Sequence, residues 1–106
     1  MATIHKPQPI MPIYVTEHAR RRARERCPGF KSARIIDEVR AAMREGRISA
    51  DPPSGVAYDR RYANVLFVWS EQRCYPIKPM PGGDNGFMVC TTVARKAEGA
   101  LSRPTV

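Results

Sequence analysis

No apolar run in this 106-residue chain approaches the ~20 residues of a membrane-spanning helix, and residues 1–12 lack a signal-peptide core. The expected setting is cytoplasmic, with no membrane partner. Cysteine is sparse: Cys27, Cys74 and Cys90 are odd in number and form no C-x-x-C pair. That argues against a disulfide framework and for a reducing compartment. Histidine is sparser still, with only His5 and His18, and neither stands at a recognisable zinc-ligand spacing from a cysteine. The chemistry expected of the chain uses no metal and no other cofactor. Acidic residues are also few, since 10 Asp and Glu face 18 Lys and Arg for a net charge of +8. Such a surplus calls for a polyanionic partner, nucleic acid before an acidic protein. Even lysine is scarce: 14 of the 18 cations are arginine, whose planar fork grips phosphate bidentately and stacks on bases. A genome rich in arginine codons produces the same bias, so basicity supports nucleic acid without deciding it.

What is present suits one folded domain with a modest core, at 42% hydrophobic residues. Residues 1–12, with Pro7, Pro9 and Pro12, read as an extended arm. Ile13-Tyr14-Val15 reads as a short edge strand. Thr16 then stands as an N-cap with Glu17 in the first helical turn, and Pro28-Gly29 stops that helix. A second helix starts at a Ser32 cap, carries Ile35, Ile36, Val39, Ala42 and Met43 at core-facing spacing, and closes at Gly46. Strand texture follows: Val56 to Tyr58, then Asn64 to Trp69 as a central strand. In Cys74 to Lys78, Pro76 and Pro79 predict an edge strand. Phe87 to Ala94 is the last strand, and residues 96–106 read as a basic, flexible tail. The expected fold is α+β, one domain over residues 13–95, with two N-terminal helices packed on one face of a three- to four-stranded antiparallel sheet.

The segment Thr16 to Arg26, T-E-H-A-R-R-R-A-R-E-R, carries the chemistry. At 100° per residue, His18, Arg22, Glu25 and Arg26 share a stripe about 100° wide. Ala19, Ala23 and Cys27 make a neighbouring stripe of small residues that can seat the helix closely. Cleaving RNA without metal requires deprotonating the 2′-hydroxyl, stabilising the charge on phosphorus and protonating the leaving 5′-oxygen. An imidazole serves as base or acid near neutrality. Guanidinium groups one and two turns further on can hold the non-bridging oxygens.

These residues also carry a resemblance. The pattern is similar to the small ribonuclease-like domains of the RelE and colicin-type (BECR) superfamily, in the toxin-like and phage-borne group marked by T-x-H-A-x-x-R-x-x-E-R. The match is Thr16-Glu17-His18-Ala19, then Arg22, then Glu25-Arg26, with a final strand Met88-Val89-Cys90-Thr91-Thr92-Val93. It spans residues 13–95, although the Tyr75 to Pro81 stretch and the Gly82 to Gly86 loop depart from it. The resemblance implies a metal-independent endoribonuclease leaving 2′,3′-cyclic phosphate, neutralised by an acidic antitoxin or immunity protein. His18, Arg22, Arg26 and Thr92 are the expected catalytic set, with Arg21, Glu25, Thr91 and Tyr62 on substrate. Only one of Thr91 and Thr92 can face the site, because strand side chains alternate. Tyr58, Tyr62 and Tyr75 are candidates for the second proton transfer. Tyr62 and Trp69 could stack on bases, although Trp69 fits the core better.

Two other readings compete. The same helix can be the solvated basic face of a catalytically silent module that holds nucleic acid or an acidic target protein, as a phage-encoded inhibitor would. Sequence-specific DNA binding ranks last, because the outer face of the second helix mixes acid with base and suits a major groove poorly.

Overall fold

The computed structural model describes residues 12–56, 65–80, 86–94 and 100–104. Strand β1 (Ile13–Val15) alternates buried, exposed, buried, which turns Ile13 and Val15 inward and Tyr14 outward. Thr16 is extended and caps helix α1 (Glu17–Arg26), its Oγ1 accepting from the Ala19 N–H at 3.0 Å. Glu17 in the first turn and Arg24 and Arg26 in the last complement the helix dipole. Helix α1 ends before Pro28-Gly29, as the sequence predicts. The next helix does not begin with a serine cap. Ser32–Arg34 forms a 3-10 turn without a side-chain cap, and α2 (Ile35–Arg44) continues from it.

Four further strands pass through one sheet: β2 (Ile48–Ser49), β3 (Leu66–Trp69), β4 (Arg73–Pro79) and β5 (Phe87–Val89). Their order is β1-β5-β4-β3-β2, and a short β6 (Val93–Ala94) pairs with the start of β4. The architecture is α+β as expected, but the sheet is wider than predicted and mixed, because β1 runs parallel to β5. Both helices and three strands separate those two in sequence, so no hairpin imposes an antiparallel pairing. Strand β2 has no counterpart in the sequence reading. Of the expected strand from Val56 to Tyr58, residues 57 and 58 lie outside the described residues.

The largest correction concerns β4. Its prolines predict an edge, yet it lies between β3 and β5. Pro76 falls where β5 pairing has ended at Ile77–Val89 and β6 pairing begins at Cys74–Val93. Its missing N–H therefore falls in a gap between two ladders, while its carbonyl accepts from the Cys90 N–H at 2.9 Å. Pro79 is the last residue of the strand. The gap is a bulge: four residues lead from Val89 to Val93, but three lead between their partners Ile77 and Cys74. The extra residue breaks the alternation of side chains through 90–92.

Helix residues Ala19, Ala23, Ile35, Val39 and Ala42 pack with Val68, Tyr75, Ile77, Val89, Ile13 and Val15, so both helices cover one sheet face. The opposite face holds a second cluster of Val65, Phe67, Trp69, Cys74 and Leu101. Residues 100–104, assigned by composition to a flexible tail, are docked there. Leu101 is 5% exposed, its N–H bonds the Glu71 carbonyl at 2.9 Å, and Ser102 bridges to Ser54. Gly55 permits this approach: with φ at +99°, a Cβ there would stand 2.9 Å from the Leu101 side chain. At the other end, a Cβ on Gly86 would meet the Pro12 carbonyl oxygen at 2.6 Å, so only glycine lets the chain before β1 cross the start of β5.

Candidate functional site

Small residues on the inner stripe decide how α1 sits. Ala19 and Ala23 are fully buried and Cys27 nearly so, which leaves the arginines on the flanks and outer face. One flank brings together most of the expected site. His18 is half-buried, and Arg21 Nη2 lies 3.4 Å from its Nδ1. A guanidinium has no acceptor, so this contact needs an unprotonated Nδ1 and leaves the ring proton on Nε2. Arg22 Nη1 donates to Glu25 Oε2 at 2.8 Å, and its Nε is buried with no acceptor. Arg26 Nη1 donates to the Thr92 carbonyl at 2.8 Å. Arg24, on the outer face, reaches Glu17 at 3.1 Å.

The bulge supplies that carbonyl. Several hydrogen bonds join residues 89–92 to α1 and its cap: the Thr16 N–H and hydroxyl both donate to the Val89 carbonyl, at 3.3 and 3.0 Å, and the hydroxyl also reaches the Cys90 carbonyl at 3.3 Å. The Thr92 hydroxyl donates to the Ala19 carbonyl at 2.9 Å, and Arg26 closes the set. Two expectations fail here for one reason. Thr92 was expected to touch phosphate, but its side chain is wholly buried and its hydroxyl is bonded to the helix backbone. Thr91 was its alternative on the other strand face, yet it is buried as well, at 3% exposure, because the bulge removes the alternation. Both threonines belong to the scaffold.

Tyr75, a candidate for proton transfer, is fully buried under the helices. Burial first, and then the Glu38 carboxylate, push its pKa upward, so it stays protonated and out of reach. Tyr58 and Tyr62 lie outside the described residues. Trp69 is core, at 2% exposure.

Next to Tyr75 is a feature the sequence did not signal. Arg73 donates from Nε and Nη2 to the two oxygens of Glu38, at 2.9 and 3.0 Å, and lies 3.8 Å from the Phe30 ring centroid. Both charged side chains are only 16% exposed. The partners are 35 positions apart, and no local pattern couples such residues. Burial also raises the nearby Cys27 thiol, against the opposing pull of Arg73, which makes it a poor nucleophile.

A cleft of about 370 Å³ opens beside the C-terminal half of α2, lined by Glu38, Glu45, Arg47, Glu71 and Arg73 among others. Two of its acids are already paired, Glu45 with Arg47 and Glu38 with Arg73, and none of the expected catalytic residues line it, although the core residue Trp69 does. Among the described residues, no three His, Cys, Asp or Glu side chains converge as a metal site. No family model matches the chain, and no curated protein or solved structure matches it.

Proposed function

We propose that this protein binds RNA along the His18 flank of α1 and cleaves it without a metal, leaving a 2′,3′-cyclic phosphate and a 5′-hydroxyl. The observation that carries the reading is the row His18, Arg21, Arg22 and Arg26 beside the bulge, with Glu25 as its counter-charge. In the reaction the 2′-oxygen attacks the adjacent phosphorus, His18 takes its proton, and the bond to the 5′-oxygen breaks as that oxygen takes a proton from water. Arg21 exchanges His18 Nδ1 for a phosphate oxygen as RNA enters, which frees the lone pair that takes the 2′-proton. Arg22 exchanges Glu25 for the same phosphate, and Arg26 is the cation held in place by the Thr92 carbonyl. An acidic antitoxin, immunity or target protein would compete for the same cations.

The test incubates purified protein with mixed RNA in EDTA beside His18→Ala. The expected result is cleavage with cyclic-phosphate ends that falls about 100-fold or more in the variant. Equal cleavage by both proteins would sink the assignment of His18.

One observation favours a second reading, in which binding is kept and cleavage is absent. The described residues offer a single proton-transfer group at the site, and the Thr92 hydroxyl is already bonded. A silent binder tolerates His18→Ala but loses affinity with each flank arginine removed, most strongly at low salt.

A further inference from the structure

The face of the sheet opposite the helices is closed at one end by Leu101, Val56 and Val93. At the other end, pairing sets Tyr14, Met88 and Lys78 directly across from one another on β1, β5 and β4. Directly opposed residues share a face, so these three make one row across the open end. Tyr14 is 56% exposed and is the exposed large hydrophobic residue of the described chain. Met88 and Lys78 are half-buried beside it. No carboxylate pairs with Lys78 among the described residues. Cys90, where the bulge begins, donates from Sγ to the Met88 carbonyl at 3.7 Å, so the row reaches toward the segment that α1 grips.

We propose that this row is a nucleotide subsite for single-stranded RNA, in which a base flanking the scissile phosphate stacks on Tyr14 and a neighbouring phosphate pairs with Lys78. An exposed aromatic ring beside a cation that no carboxylate pairs among the described residues suits a splayed-out base and its backbone. Position supports it too. Tyr14 is four residues before His18, at most about 14 Å along the chain, and β1 is the sheet edge. A strand bound on the α1 flank can therefore turn around that edge onto the row. A duplex, with its bases stacked internally, cannot use the ring. This subsite rests on the RNA-binding reading above.

The test uses the full chain and a 12-nucleotide single-stranded RNA, 2′-O-methylated to prevent cleavage and carrying 2-aminopurine. Tyr14→Ala should weaken binding about tenfold, within the 1–3 kcal/mol range of base–aromatic stacking, and relieve quenching of the 2-aminopurine. Tyr14→Phe should bind within about twofold of wild type, since the ring and not the hydroxyl does the stacking. Lys78→Met should lower the slope of log affinity against log salt by about 0.7. Wild-type affinity and quenching in Tyr14→Ala, with binding still lost on Arg22→Ala, would overturn the subsite and leave the RNA reading standing. No binding by wild type would overturn both.

Discussion

The two helices have the same length, ten residues each, and are held by different physics. Helix α2 buries Ile35, Val39 and Ala42 and packs Ile36 and Met43 partly against the same core. Burying an isoleucine or valine contributes about 1.5–3 kcal/mol each, so apolar area anchors α2. Helix α1 buries only Ala19 and Ala23, because arginine occupies five of its ten positions. It is fastened instead by directional bonds to residues 89–92, through Thr16, Thr92 and Arg26. Area tolerates small slips of a helix, but hydrogen bonds set its rotation and height. The helix carrying the proposed chemistry is the one whose orientation is fixed by geometry.

The strongest way to break this contrast is Ile35→Ala in α2. Loss of a fully buried isoleucine should cost about 3–4 kcal/mol in denaturant unfolding, more than any single change on α1. Alkaline pH attacks the cores on both faces of β4, Tyr75 under the helices and Cys74 opposite them. Burial pushes Cys74 up to about 12 from 9.0, and Tyr75 upward as well. A group whose folded-state pKa is raised stabilises fully below its unfolded value, and that contribution fades as pH climbs through the folded value. Stability should therefore be insensitive to these groups below pH 9 and fall between pH 9 and 12, read by circular dichroism at fixed denaturant. Thr92→Val comes next, at about 1–2 kcal/mol for one buried hydroxyl bond, with Thr92→Ser recovering most of it. If serine does no better than valine, the bond to Ala19 is not what anchors α1. The smallest effect belongs to Arg22→Ala. A half-exposed i,i+3 pair contributes about 0.5 kcal/mol or less, so the melting temperature should hardly move. RNA affinity should drop all the same, which would separate the charge of α1 from the stability of the fold.

The sequence was most legible where the cause is local. Thr16 accepts from an N–H three residues on, and Pro28-Gly29 stops the same helix, so both ends of α1 could be read directly. The apolar spacing of Ile35, Val39 and Ala42 is likewise set within one helix. Reading failed where the cause lies across the fold. Pro76 argues for an edge unless its missing N–H happens to fall between two ladders, and only the β5–β6 bulge arranges that. The same bulge buries Thr91 and Thr92 together, against the alternation expected of a strand. Leu101 stood in a basic, polar tail, with nothing nearby to show that it covers Trp69 and Cys74. Tyr14 carries no signal of its own in a three-residue strand, and only pairing sets it beside Met88 and Lys78.

By itself, the sequence determined the two helices, their inner stripes, the α+β class and a cationic α1 bearing His18. Each follows from spacing within a turn or a strand, where the backbone alone decides which side chains are neighbours. The tertiary structure alone decided the mixed strand order, the partnership of Arg73 with Glu38, and the scaffold role of Thr92. Those depend on register between segments far apart in the chain, and a one-residue bulge is enough to change which side chains face inward.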